Sequence, residues 1–183
     1  MKDNFVEIER KFLIASFPDG LPLKGRFEVC QAYLSTEPEV RIRRGAAADG
    51  DAAYFLTVKS GGGLARREVE LRIQEEQFRA LADMVPYPFI KKEFRVYALP
   101  GGLDLECSLV DGGLDTGFMY AEVEFPSVEA AERFTPCFGY VREITHCSGY
   151  KMKNYWKRTR AETCPAPAPE VFAMNQAAKR ETL

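Results

Sequence analysis

The chain has 183 residues, 46% of them hydrophobic and 28% charged, with a formal net charge of −2. That suits one domain with a proper core, or one domain followed by a tail. No apolar run reaches the roughly 18 residues of a membrane span, and the N-terminus lacks the basic-then-apolar layout of a signal peptide. Any basic surface must be local at this charge. We therefore expect no nucleic-acid or membrane partner, and a monomer or homodimer. Cys30, Cys107, Cys137, Cys147 and Cys164 are odd in number and hold no C-x-x-C pair, so free thiols in the cytoplasm are expected. His146 and Cys147, even with Cys137, fall short of the four well-spaced ligands of structural zinc.

In chain order, Phe5 to Ile14 reads as a first strand, stopped by Pro18-Asp19-Gly20. With the period-two alternation of a strand, Glu7, Glu9 and Lys11 share one face, and Val6, Ile8, Arg10 and Phe12 the other. A second strand covers Phe27 to Leu34, and a third begins at Val40 with Arg41 and Arg43 on one face. The fourth, Tyr54 to Lys59, sets Lys59 opposite Leu56 and Val58. Gly61-Gly62-Gly63 lacks the context of a phosphate-cradling loop and reads as a hairpin connection. The fifth strand groups Arg66, Glu68 and Glu70, and a helix over Glu75 to Met84 follows.

In the sixth strand, Ile90, Phe94 and Val96 define the apolar parity, leaving Lys91, Glu93 and Arg95 on the charged face. A seventh strand places Asp104, Glu106 and Ser108 together, and an eighth pairs Glu122 with Glu124. Ser127 is a good N-cap for a short helix to about Phe134. A last short strand is expected near Val141 to Thr145, then a basic helix to Trp156 capped by Ser148. Residues 161–183 read as a Pro/Ala-rich linker and tail, leaving 1–160 as the domain.

The composite is mainly β (α+β), an antiparallel sheet or closed barrel of eight strands with a few helices. Alternation does not say which face is inside. The charged faces either meet solvent around an ordinary core, or line a wide barrel with a polar lumen whose apolar outer faces are partly covered by helices. The charges favour the second. Carboxylates two apart on a strand present hard oxygens at one level, which suits Mg²⁺ or Mn²⁺. Arg and Lys suit phosphate oxygens, and phosphoryl transfer asks the protein mainly for positioning and charge neutralisation.

Glu7-x-Glu9-x-Lys11 resembles the E-x-E-x-K signature of the CYTH superfamily, the triphosphate tunnel metalloenzymes. Its echoes follow in order: QAYLS at Gln31 to Ser35, VRIRR from Val40, LTVK ending at Lys59, R-x-E-x-E at Arg66 to Glu70, AEVEF from Ala121 and EIT from Glu143. The resemblance covers about residues 5 to 155. It implies an eight-stranded antiparallel tunnel that binds triphosphate with a divalent metal. It further implies metal-binding roles for Glu7, Glu9, Glu68, Glu70, Glu106, Glu122 and Glu124. Arg41, Arg43, Lys59, Arg66, Lys91 and Arg95 would bind phosphate, and Lys11 with Glu9 would be catalytic.

Glu106 stands where the family usually has aspartate, and the sixth strand departs from the usual K-x-R. In the register that parity gives, Glu93 occupies the arginine position and is expected ionised among cations; a shifted register would instead bring Lys92 inward and put Phe94 there. The implied activity is metal-dependent hydrolysis of a triphosphate, foremost inorganic triphosphate. The alternatives are a class IV adenylate cyclase, a nucleoside or thiamine triphosphatase, or a non-catalytic polyphosphate-binding protein.

Overall fold

In the computed structural model, residues 5–47, 50–61 and 63–161 are described; the expected linker, the tail and Cys164 lie outside them. Eight strands form the barrel: β1 (Val6–Leu13), β2 (Leu23–Thr36), β3 (Glu39–Ala47), β4 (Ala52–Lys59), β5 (Ala65–Ile73), β6 (Ile90–Ala98), β7 (Asp104–Val110) and β8 (Phe118–Glu124). They lie in the order β5-β4-β3-β2-β6-β7-β8-β1, and a β5–β1 pairing closes the ring. Every pairing is antiparallel. Closure leaves no edge among the eight. A two-residue strand, β9 (Arg142–Glu143), adds to β1. The closing seam is short: Val6, Glu7 and Ile8 face Arg67, Arg66 and Ala65.

Much of the core lies outside the barrel wall. The outward residues Phe12, Tyr97, Leu105, Cys107, Ala121 and Val123 are buried with Ala131 of α2 (Val128–Arg133). Ser127 caps α2 as its spacing predicts, its Oγ accepting from the Ala130 N–H at 3.1 Å. On the opposite flank, α1 (Glu75–Ala82) lays Phe78 and Ala82 against Ile42 and Tyr54. Phe78 is 1% exposed, and burying a side chain of this kind stabilises by roughly 1.5–3 kcal/mol. The α1 amino end is closed by reciprocal bonds between Gln74 and Gln77.

The C-terminal segment supplies a further piece of wall. A 3₁₀ turn (Ser148–Tyr150) leads into α3 (Met152–Trp156) and a π-helical turn (Lys157–Ala161). Ser148 opens the 3₁₀ turn instead of capping α3; the N-cap is Lys151, which makes no side-chain cap bond. Met152, Tyr155 and Trp156 join the cluster that includes Tyr33, Ile90 and Tyr120. This segment is tied to the β7–β8 turn by Asp111, a non-glycine residue with φ of 45°. Its Oδ2 accepts from Tyr155 Oη at 2.7 Å and from Arg160 Nη2 at 2.6 Å, while Oδ1 accepts from the Lys91 N–H at 2.9 Å. Among the described residues, no helix is long and apolar enough to cross a membrane.

Candidate active site

The barrel interior is a cavity of about 510 Å³. Period-two alternation projects Glu7, Glu9 and Lys11 into it from β1, Arg41 and Arg43 from β3, and Lys59 from β4. Arg66, Glu68 and Glu70 enter from β5, Glu106 from β7, and Glu122 and Glu124 from β8. All of these were expected inside from the sequence. Asp104 shares Glu106's parity but meets Lys24 Nζ at 2.6 Å outside the cavity lining.

The sixth strand overturns its expected register. Lys92 and Phe94 line the cavity, whereas Lys91, Glu93 and Arg95 point outward. Lys91 is exposed. Arg95 binds Glu93 at 2.6 Å and lays its guanidinium 3.8 Å from the Phe17 ring centroid. Glu93 also meets Arg26 at 3.0 Å, so its cationic partners are on the outer face. The hairpin with β7 fixes this choice. Tyr97 pairs with Leu105 and Arg95 with Cys107, and directly opposed residues share a face. Leu105 and Cys107 belong to the outer core, so Arg95 faces outward with them.

Acids and bases of the lumen are paired with one another. Lys59 Nζ lies 3.0 Å from Glu7 and 2.6 Å from Glu68. Arg66 bridges Glu7 and Glu9. Arg43 meets Glu70 at 3.0 Å, and Glu70 accepts from Thr57 Oγ1 at 3.1 Å. Lys11 Nζ lies 2.6 Å from Glu122 and 3.8 Å from the Tyr120 ring centroid. Lys92 Nζ donates to Tyr120 Oη at 2.7 Å.

The protonation equilibria carry the imprint of this crowding. Burial opposes ionisation of Glu7, but Lys59, the adjacent Glu68 and Arg66 outweigh it and hold its carboxyl low. Burial likewise works against Glu122, which Lys11 and Lys92 keep below the usual carboxylate range. Glu9 is pushed up to about 7 by burial and by Glu122 and Glu7. Glu106 rises to about 7 through burial and the charges of Glu122 and Glu124. Burial drives Lys92 well down.

Sequence reasoning missed several lining residues. Glu39 lines the cavity beside Lys59, its register partner. Tyr33 and Tyr120 stand inside with both hydroxyls held in the neutral form by burial. Ile144, Thr145, Tyr150 and Met152 reach in from the C-terminal segment. Thr145 accepts the Lys11 N–H at 3.0 Å and donates to Glu143 at 2.6 Å, which fixes the strand carrying Lys11. The amide of Gln31, the hydroxyl of Tyr33 and Nε of Arg41 are buried without a hydrogen-bond partner among the described residues.

No family model matches the chain. It is 38% identical over 154 residues to a curated inorganic triphosphatase of Nitrosomonas europaea, covering 80% of this chain and 94% of that protein. The chain belongs to this inorganic triphosphatase family. The crystal structure of an inorganic triphosphatase matches at a TM-score of 0.55 and 37% identity, over 81% of this chain and 92% of the other. A Pyrococcus horikoshii protein matches at 0.50 and 21% identity, over 69% and 83% of the two chains, a likeness of fold alone.

Proposed function

We propose that this chain is a CYTH-type triphosphate tunnel enzyme that hydrolyses inorganic triphosphate to pyrophosphate and phosphate, with Mg²⁺ or Mn²⁺. The observation that carries the reading is the lumen of opposed charges: cations from β1, β3, β4, β5 and β6 face carboxylates from β1, β5, β7 and β8 across one cavity. Arg41, Arg43, Lys59, Arg66 and Lys92 are the phosphate-holding side chains. Each arginine offers a planar fork and each lysine a point charge to non-bridging oxygens. Lys11, held 2.6 Å from Glu122, orients the attacking water with Glu9. The water oxygen attacks a terminal phosphorus, and the bridging oxygen leaves with pyrophosphate.

Among the described residues, no three His, Cys, Asp or Glu side chains converge as a ready-made metal site. The donor chemistry nevertheless fits a hard divalent cation. Burial, with the charges of Glu122 and Glu7 on Glu9 and of Glu122 and Glu124 on Glu106, raises both groups to about 7, and hard carboxylate oxygens suit Mg²⁺ and Mn²⁺. When bound, such an ion neutralises phosphate charge and helps to activate water. Cys30, Cys107, Cys137 and Cys147 are free thiols, consistent with action in a reducing cytoplasm.

The test is product analysis after incubation with triphosphate, ATP or thiamine triphosphate, each with Mg²⁺ and with Mn²⁺. Phosphate and pyrophosphate released fastest from triphosphate are expected. Cyclic AMP with pyrophosphate from ATP would replace this reading by a cyclase.

A further inference from the structure

β1 takes its two barrel neighbours one after the other. Val6, Glu7 and Ile8 face β5, whereas Glu9 to Leu13 face β8 on the opposite edge. The edge that β5 leaves still carries backbone groups that need partners, and residues 141–145 supply them. The Val141 N–H donates to the Leu13 carbonyl at 2.8 Å and the Ile144 N–H to the Lys11 carbonyl at 2.7 Å. For the Lys11 N–H the acceptor is a side chain. Thr145 Oγ1 lies 3.0 Å from it, in the place of the carbonyl that a strand partner would offer.

A hydroxyl has one hydrogen to give, and Thr145 gives it to Glu143 Oε1 at 2.6 Å. Its oxygen is thereby committed to Lys11 as an acceptor. Glu143 is held in turn by Arg10, whose Nε and Nη2 donate to the two carboxylate oxygens at 2.9 and 2.6 Å. Nη1 of the same guanidinium is anchored on the carbonyls of Ala131 and Phe134, at 2.9 and 2.7 Å, where α2 ends. A line of hydrogen bonds therefore runs from the end of α2, through Arg10, Glu143 and Thr145, to the peptide of Lys11. Thr145 is the member of that line that also borders the lumen.

We propose that Thr145, oriented by Glu143 and Arg10, is a positioning residue for Lys11 and through it sets the rate of the chemical step. The proposal rests on the reading of Lys11 as a group that orients the attacking water. Lys11 is tied at both ends: its peptide by Thr145 and its ammonium by Glu122. Loss of the hydroxyl deprives the Lys11 N–H of its acceptor at a part-buried place, where an unmade bond is costly. The backbone at Lys11 then relaxes, and Nζ loses its fixed height in the lumen. A misplacement of about 1 Å in a reacting group lowers a rate by roughly a hundredfold, so a fraction of that shift suffices for a tenfold effect. Phosphate affinity depends on the cations of β3, β4, β5 and β6 and is left nearly intact.

Steady-state kinetics with triphosphate and Mg²⁺, beside equilibrium binding of triphosphate in EDTA, test this on the full chain. Thr145→Val keeps the shape and removes the hydroxyl. Its kcat should fall about tenfold or more, while KM and metal-free affinity stay within about threefold. Thr145→Ser restores the hydroxyl and should return kcat to within about threefold of wild type. Should Thr145→Val fail to fold, Glu143→Ala frees the hydroxyl from its orientation and should lower kcat about threefold or more with the same unchanged affinity. Lys11→Met lowers kcat by itself, and adding Thr145→Val to it should cost no more than about a further twofold, because nothing is left to position. Full multiplication of the two losses marks Thr145 as merely structural and overturns the proposal. So does a Thr145→Val protein with wild-type kcat, one whose affinity falls in step with kcat, or a Thr145→Ser protein as slow as Thr145→Val. Loss of kcat at Lys11→Met without loss at Thr145→Val overturns the proposal alone, whereas wild-type kcat in Lys11→Met overturns the reading of Lys11 as well.

Discussion

β1 and β6 are both written with charges at neighbouring positions, yet they face the lumen in opposite ways. β1 sends Glu7, Glu9 and Lys11 inward and buries Phe12 in the outer core. β6 sends Phe94 inward with Lys92 and turns Lys91, Glu93 and Arg95 out. The inversion of this barrel is therefore local. β1, β3, β5 and β8 turn their charges inward, whereas β2 and β6 keep the ordinary apolar-in habit along much of their length. Because those two strands are neighbours, their exceptions merge into one apolar wall instead of scattering.

The contrast is sharpest at adjacent lysines. Lys92→Ala should weaken triphosphate binding by about ten- to a hundredfold, the range of one charge-assisted contact, while Lys91→Ala should leave it within twofold. Calorimetry at one fixed salt concentration reads both, and a loss at Lys91 without one at Lys92 would reverse the register. Glu106 offers a smaller handle on the acidic wall. Its folded-state pKa of about 7 lies above the ordinary glutamate value near 4.3. The native state then holds the extra proton between those values, so the stability cost of Glu106 grows as pH rises from near 4.3 towards 7 and levels off above it. In metal-free protein, Glu106→Gln should therefore stabilise more at pH 8 than at pH 6, with a difference on the order of 1 kcal/mol by denaturant titration. Equal effects at both pH values would mean that Glu106 is not crowded by Glu122 and Glu124. The smallest effect is expected at Glu93. Glu93→Gln removes outer-face pairs to Arg95 and Arg26, so thermal stability should change by no more than about 0.5 kcal/mol and triphosphate affinity not at all.

The charged strands were legible because their patterns need only one assumption. In β3, β5 and β8 at least two charges share one parity with apolar residues between them (Arg41 and Arg43, Glu68 and Glu70, Glu122 and Glu124), and the pairs stand out although Arg44 and Arg67 fall on the other parity. In β6 they do not: Lys91 and Lys92 are adjacent, and Glu93 and Arg95 stabilise each other on the surface. Reading Ile90, Phe94 and Val96 as an outer face assumed that every strand is inverted alike. The sequence did hold a corrective signal in the β6–β7 hairpin. With Glu106 inside, Leu105 is outside, and the pairing of Tyr97 with Leu105 carries Arg95 outward too. Using it required the turn length at Pro100–Gly102, where the chain forms a 3₁₀ turn that composition alone does not specify. The contributions of Tyr150 and Met152 were illegible for another reason: they depend on Asp111 drawing the C-terminal segment over the barrel, a contact between residues distant in sequence.

The short β1–β5 seam makes the barrel a hoop with a clasp. β3 is paired with β2 from end to end, whereas the clasp rests on three opposed residue pairs. On its lumen side it is gripped by Arg66, which holds Glu7 and Glu9. Thermal opening of the ring should begin there. Amide hydrogen exchange is expected to run at least about tenfold faster across residues 6–8 and 65–67 than at the centre of β2–β3, as local opening of a weakly tied unit requires. The same arginine is a phosphate-holding candidate, so the exchange rate of the clasp becomes a reporter of the lumen. A ligand that draws Arg66 from Glu7 changes that rate, while the β2–β3 amides keep theirs.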